Sequence, residues 1–109
     1  MKVKVKWLMV PVAAATLAVG FAQYPKEKVF LDKCANCHSK DGSGQTAKGK
    51  KLEVKDMGSA EVQKMTDAKM FELIAKGKGD MDGYQKELKD EEIKALIAYV
   101  RTFAKPAKK

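Results

Sequence analysis

The clearest regularity in the chain is the spacing of apolar residues between positions 90 and 101. Apolar side chains recur there at intervals of three and four, which places them on one face of an α-helix. They are Ile93, Leu96, Ile97, Val100 and, beside them, Tyr99. Asp90 is the expected N-cap, and Glu91 and Glu92 suit the positive end of the helix dipole. We predict an amphipathic C-terminal helix that ends before Pro106.

A second helix is predicted to begin after Thr66, whose hydroxyl is a good N-cap. Met70, Leu73 and Ile74 follow at positions i, i+3 and i+4, the spacing of one apolar helix face. Gly77 is expected to end this helix.

The remaining pattern predicts short helices separated by glycine loops. One helix opens at Pro25 and passes through Phe30 towards the middle of the chain, and another begins at Ser59. Residues 39–51 and 78–84 are rich in glycine and polar residues and are expected to be loops. Without a repeat, a second domain or a convincing strand, the pattern predicts one all-α domain of three to five short helices.

Residues 1–22 have the composition of an export signal. Three lysines at positions 2, 4 and 6 precede an apolar run from Trp7 to Ala18, and Gly20-Phe21-Ala22 is a small-x-small cleavage site. We therefore expect a signal peptide over 1–22, a mature domain over 23–109 and a periplasmic location. The alternative is an uncleaved membrane anchor, although the stretch from Trp7 to Ala22 is 16 residues, against the roughly 20 that span a bilayer.

Both cysteines and the only histidine lie in five consecutive positions, Cys34-Ala35-Asn36-Cys37-His38. This is the pattern of covalent haem attachment. Thiols three positions apart lie on one helical turn, where each can form a thioether with one porphyrin vinyl group. The imidazole that follows is a common iron ligand, and its other ring nitrogen usually donates to a backbone carbonyl. We predict one covalently attached haem c, held by Cys34 and Cys37, with His38 as an axial ligand.

Two alternatives to haem attachment fit the pentad less well. A thioredoxin-like dithiol requires strands in a βαβ arrangement, whereas the flanking sequence is lysine-rich and helix-forming. A structural zinc site needs four ligands, and the chain has no further cysteine or histidine to complete it. Export also agrees with covalent haem attachment, which in bacteria takes place outside the cytoplasmic membrane.

The net charge of the mature chain indicates which class of macromolecule it contacts. Removing the three signal-peptide lysines leaves 19 basic and 14 acidic side chains, a mature excess of about +5. This excess favours redox proteins with acidic docking faces and is also explained by a solvated lysine surface. Nucleic acid is not expected, since basic and aromatic residues are not interleaved.

The second axial position is open to a methionine, a lysine, water or no ligand. Among the mature methionines, Met70 shares a helix face with apolar neighbours and is expected to be core packing. Met57 and Met65 lie near short-helix boundaries, where they could form part of a haem-pocket wall. Met81 stands among glycines and aspartates with no apolar stripe to join. A thioether opposite histidine favours ferrous iron and raises the reduction potential, so we predict Met81 as the second ligand.

The mature chain resembles the small class I bacterial cytochromes c, particularly those similar to cytochrome c6 and cytochrome c553. The family's aromatic residue four positions before the first cysteine is matched by Phe30, and its Leu-Ile-x-Tyr pattern by residues 96–99. Its Gly-Lys-Gly-x-Met loop is matched by residues 77–81, with Tyr84 as the following aromatic. Lys26 stands where the family usually has glycine, and Asp82 where it usually has proline. The resemblance implies a class I cytochrome c fold, with the terminal helices crossing and the haem in a cleft.

The expected function is one-electron transfer between respiratory-chain partners, by a monomer with no small-molecule substrate and no enzymatic activity. Alternatives are a haem subunit of a larger oxidoreductase or, if Met81 does not bind iron, a peroxide- or gas-reactive haem protein. Tyr84 and Leu52 are expected in the pocket wall and Tyr99 in helix packing. Partner-steering lysines near the haem edge are expected to be Lys33, Lys40, Lys78 and Lys86.

Overall fold

The computed structural model describes residues 24–106, so the predicted signal peptide and its cleavage site lie outside the described residues. The described chain is helical, and its only strand-like pairing is an isolated β-bridge between Lys78 and Met81. The all-α prediction is confirmed, although residues 24–106 form six helices rather than the predicted three to five. The six helices are α1 (Lys26–Lys33), α2 (Ala35–His38), α3 (Ala47–Leu52), α4 (Ala60–Gln63), α5 (Asp67–Lys76) and α6 (Asp90–Arg101).

Three local predictions of helix limits are confirmed. The hydroxyls of Ser59 and Thr66 accept hydrogen bonds from the first turns of α4 and α5, and Gly77 ends α5. The predicted cap of α6 is wrong by one residue, because Lys89 is the N-cap and Asp90 is the first helical residue. The Glu92 carboxylate accepts a hydrogen bond from the Lys89 backbone N–H at 2.8 Å, which fixes this start.

The prediction that residues 39–51 form only a loop is wrong for α3. Thr46 is its N-cap and accepts a hydrogen bond from the Gly49 backbone N–H at 2.8 Å. This cap offsets the low helix propensity of Gly49. The glycine is needed for a tertiary reason, since a Cβ at this position would lie 2.5 Å from the Gly44 carbonyl oxygen.

The core forms where α1 and α5 both pack against α6. Phe30 of α1 and Ile93 of α6 are its most buried large side chains, with exposed fractions of 1% and 0%. The Phe30 ring lies 5.3 Å from the rings of both Tyr99 and Phe103. Phe30 therefore packs on the C-terminal helix, and the predicted packing role of Tyr99 is confirmed. No helix within residues 24–106 has the length and hydropathy of a bilayer-spanning segment.

Arg101, at the end of α6, joins three parts of the chain. Its guanidinium donates to the backbone carbonyls of Gln63 and Met65, both at 2.7 Å, and to the Asp67 carboxylate at 2.7 Å. The planar, permanently charged group has several donors in a fixed fork, and this geometry suits three acceptors on different segments. Arg101 thereby ties α4 and the start of α5 to the last turn of α6.

We expect Arg101→Met to lower the free energy of unfolding of the haem-loaded protein by about 2 kcal/mol, because it removes charge-assisted hydrogen bonds. Denaturant unfolding is the measurement. Lys94→Met is the matched control, since Lys94 is exposed on the same helix and forms no salt bridge within residues 24–106. Equal losses in the two variants would show that the Arg101 contacts contribute nothing beyond charge.

Candidate haem-binding site

One cavity gathers three of the four predicted site residues. Cys34, His38 and Met81 all line it, although they come from separate segments of the chain. Cys37 is half-buried on α2 and is not part of the lining. The other lining residues are almost all apolar: Val29, Phe30, Lys33, Met57, Ile74, Tyr84, Leu88, Leu96 and Val100.

The backbone between α1 and α2 places the two cysteines on one turn. The helix breaks at Cys34, and its carbonyl oxygen then accepts hydrogen bonds from the backbone N–H groups of Cys37 at 3.3 Å and His38 at 2.9 Å. Both cysteines are free thiols. Burial raises the pKa of the Cys34 thiol to about 11, so this group is protonated at neutral pH.

His38 has the environment of a metal-binding imidazole. Burial lowers the pKa of its side chain, because desolvation disfavours the charged form. The ring is therefore neutral at neutral pH, as ligation requires. Its Nδ1 is buried and has no hydrogen-bond partner within the described residues, so the expected bond to a backbone carbonyl is not formed there.

These features fit a bound haem. The Nδ1 atom of His38 is buried without a hydrogen-bond partner within the described residues. Such an atom raises the free energy of the folded protein unless another atom interacts with it. The apolar lining suits a porphyrin ring, and the cavity also contains a thioether that can bind iron.

The last carbonyls of α2 are capped by residues outside the predicted site. A four-residue helix leaves these acceptors without partners of its own. The Thr46 hydroxyl lies 2.8 Å from the Asn36 carbonyl oxygen and 3.2 Å from that of Cys37, and the Gly44 N–H donates to the His38 carbonyl at 2.8 Å. The N-cap pattern before α3 was the available signal for Thr46, but its second role depends on α3 packing against α2.

The turn directly after His38 is held by one carboxylate. Ser39 has φ 65° and ψ 157°, a conformation that is costly for a residue with a side chain. The Asp41 carboxylate accepts hydrogen bonds from the hydroxyls of Ser39 and Ser43 at 2.8 and 2.6 Å, and from the Ser43 N–H at 3.0 Å. These bonds, those to Ser43 above all, lower the pKa of Asp41 to about 2, so that the carboxylate is ionised at neutral pH.

Met81 is held in a tight reversal after α5. The backbone N–H groups of Lys78 and Met81 donate to each other's carbonyls at 2.9 and 3.0 Å. Gly77 has φ 78° and ψ 178°, a region open essentially only to glycine. The chain then returns to α5, where the Tyr84 N–H donates to the Ile74 carbonyl at 2.8 Å.

The other methionines and wall residues fall largely as predicted. Met70 is core packing, with 5% of its surface exposed, and Met57 lines the cavity. Met65 packs on the core cluster. Tyr84 lines the cavity as expected, whereas Leu52 does not and lies half-buried in α3.

The predicted steering lysines differ in their surroundings. Lys33 borders the cavity, but its ammonium forms an ion pair with the Glu87 carboxylate at 2.9 Å. Lys40, Lys78 and Lys86 are all exposed and form no salt bridge within residues 24–106. The same part of the chain contains no group of three or more His, Cys, Asp or Glu side chains placed to hold a metal ion.

Comparison with known proteins supports a haem protein. A family model described as "Cytochrome C oxidase, cbb3-type, subunit III" matches residues 25–100. A comparison with curated proteins gave no match.

Eight solved chains match this one, and three of them are the following. KustC0563, a c-type cytochrome, is 35% identical with a TM-score of 0.68, and the match covers 73% of this chain and 98% of that one. A mutant of the same cytochrome gives 35% identity and a TM-score of 0.67, over 73% and 99% of the two chains. Cytochrome cL from Hyphomicrobium denitrificans is 25% identical with a TM-score of 0.58, and the match covers 73% of this chain but 46% of that longer one.

The family match spans most of the chain, the identity to KustC0563 extends over nearly all of that protein, and the cavity fits a porphyrin. The chain therefore belongs to the c-type cytochromes, in the family that the cbb3-type subunit III model describes, and its cofactor is covalently bound haem c.

Proposed function

We propose that this c-type cytochrome is a periplasmic one-electron carrier whose haem iron is bound by His38 and Met81. The observation that supports it is the convergence of Cys34, His38 and Met81 on one apolar cavity. Residues 34–38 and Met81 are more than 40 positions apart in the sequence, and the cavity offers an imidazole and a thioether for one metal. When bound, haem supplies an iron that cycles between ferrous and ferric states.

The roles of the pentad follow from its chemistry. The Cys34 and Cys37 thiols would each form one thioether, so that the cofactor remains attached in both oxidation states. His38 would bind iron through a neutral ring, which burial already favours. The capped carbonyls of α2 hold the backbone of the pentad, and a fixed backbone limits movement of the ligand when the charge on iron changes.

Met81 would set the character of the site. A thioether is uncharged at any working pH and favours ferrous iron, which raises the reduction potential. The apolar wall acts in the same direction, because a low dielectric disfavours the more charged ferric site. The reversal at residues 77–81 is held by two backbone hydrogen bonds, and a rigid ligand segment suits a carrier that exchanges one electron without rebuilding its site.

The surface suits transient contact with redox proteins that present acidic faces. Lys40, Lys78 and Lys86 have no ionic partner within the described residues. Lys33 contributes less to this steering, since Glu87 neutralises it locally. We infer a monomer, a respiratory-chain role and no small-molecule substrate, with residues 1–22 directing export or, if uncleaved, anchoring the protein.

A haem subunit of a larger oxidoreductase is the second candidate. The description of the matching family, a subunit of a cbb3-type oxidase, favours it. A subunit would remain bound to its partner chains during purification, whereas a carrier would be isolated alone.

We expect the protein made with haem-attachment machinery to exceed the mass of its bare polypeptide by one haem. The pigment should remain with the polypeptide in acidified acetone, because thioether bonds survive this treatment. The double substitution Cys34→Ala and Cys37→Ala should leave a polypeptide that yields its pigment to the solvent. A wild-type mass equal to that of the bare chain would refute covalent attachment.

We expect Met81→Ala to abolish the red-edge iron–sulfur charge-transfer band of the oxidised protein and to lower its reduction potential. Absorption spectroscopy and a potentiometric titration measure the two effects. Met57→Ala is the matched control, because Met57 also lines the cavity with a thioether. If Met57→Ala removes the band and Met81→Ala keeps it, the ligand is misassigned. A wild-type protein that lacks the band would instead favour a peroxide- or gas-reactive haem protein.

We expect Gly77→Ala to weaken the same band and to destabilise the protein by about 1–3 kcal/mol. A Cβ at Gly77 would run into the Met81 carbonyl oxygen and lie 2.6 Å from the Gly83 nitrogen. Gly79→Ala is the control, since Gly79 also has a positive φ of 59° but open space around it. Gly79→Ala should cost about 1 kcal/mol and keep the band. Identical spectra in both variants would show that the reversal does not position Met81.

A further inference from the structure

Two segments of the chain contribute to the lining of the haem cavity, and we refer to them as its two walls. The cysteine segment, residues 24–38, contributes Cys34 and His38, and the methionine segment, residues 74–88, contributes Ile74 and Met81. The helices α1 and α5 both pack on α6, which contributes Leu96 and Val100 to the cavity lining. Direct ties between the two walls are few. Within residues 24–106, two side-chain hydrogen bonds join them: Tyr84 to the Lys33 carbonyl, and the Lys33 ammonium to Glu87.

The first of these bonds satisfies an acceptor that the helix break leaves open. In a continuous helix, the Cys37 N–H would donate to the Lys33 carbonyl. Here it donates to Cys34 instead, since α1 ends at Lys33. The Tyr84 hydroxyl donates to the Lys33 carbonyl at 3.2 Å. The break that presents Cys34 to the cavity therefore also creates the docking point for Tyr84.

The backbone of Tyr84 forms three hydrogen bonds. Its backbone N–H donates to the Ile74 carbonyl at 2.8 Å, and its own carbonyl accepts from the N–H groups of Glu87 and Leu88 at 3.0 and 2.8 Å. The main chain of Tyr84 is thus fixed to the end of α5 while its side chain reaches the end of α1. Met81 lies only three residues earlier in the same segment.

The second tie is the ion pair between Lys33 and Glu87. Its side chains are 38% and 55% exposed, and exposed pairs contribute little to stability. The Lys33 ammonium also lies 5.9 Å from the centroid of the Tyr84 ring, which is within the range of a cation–π contact. The uncharged hydroxyl bond is the contact that joins the two walls through a half-buried residue.

We propose that Tyr84 is a positioning residue that clasps the methionine segment to the cysteine segment and so keeps the Met81 thioether at the iron. The inference rests on the proposed ligand role of Met81 and assigns to the Tyr84 hydroxyl a task that its ring does not perform. A phenylalanine would fill the same space in the wall. It would remove the hydrogen bond to the Lys33 carbonyl and so loosen the hold of the cysteine segment on the methionine segment.

The test is competition for the iron by added imidazole, measured spectroscopically on the oxidised, haem-loaded protein. Tyr84→Phe should bind imidazole roughly three- to tenfold more tightly than the wild type, the equilibrium equivalent of one net hydrogen bond. Tyr99→Phe loses the same atom from an aromatic residue that packs on Phe30 and Phe103, and should stay within about twofold of the wild type. The charge-transfer band of Tyr84→Phe should also be lost at lower imidazole concentration.

Equal imidazole affinities in the two phenylalanine variants would overturn the clasp, provided that the wild type shows the charge-transfer band and Met81→Ala lacks it. A wild type without the band would overturn the ligand assignment itself, and with it the clasp. Denaturant unfolding of both variants separates a local effect from a global one. If the clasp exists, Tyr84→Phe and Tyr99→Phe differ in imidazole affinity by more than their difference in unfolding free energy explains.

Discussion

Burial of the apolar face of α6 is the interaction on which the arrangement of the haem cavity depends. Phe30 from α1 and Met70 from α5 are buried in the same cluster as Ile93 and Leu96 of α6. The two ends of the described chain are thereby brought together, and the cavity forms beside this shared core. A domain of this size buries only a modest apolar area on its own. A covalently held porphyrin adds apolar surface where the helices leave a gap, so the cofactor is part of the core as well as the reactive group.

The second constraint is that the backbone carbonyls around the break between α1 and α2 need hydrogen-bond donors. The break at Cys34 and the shortness of α2 leave several carbonyls without helical donors. Thr46, Gly44 and Tyr84 supply those donors from three other parts of the chain. These residues lie outside the attachment motif, and their hydrogen bonds hold the backbone of residues 33–38. Each of these hydrogen bonds contributes a modest free energy, and together they link the site to the surrounding fold.

The buried groups of the site are uncharged, and the charged groups lie at its surface. Burial keeps Cys34 as a thiol and His38 as a neutral imidazole, the forms that suit attachment and ligation. Charged groups remain at the surface, where Asp41 holds the turn after His38 and Lys33 pairs with Glu87. The groups that line the cavity are therefore largely uncharged, while the charged side chains lie at the surface.

Local sequence determined the helices, the attachment motif and the class of cofactor, because each depends on residues that are near one another in the chain. The stripe of α6, the caps at Ser59 and Thr66, and the pentad at residues 34–38 are of this kind. Only the tertiary structure decided that α3 forms among glycines, that Thr46 caps α2, and that Lys33 is paired rather than free. These features depend on groups distant in sequence, whose approach is fixed by packing on α6 and by carbonyls that must find donors. No pattern of neighbouring residues records that requirement.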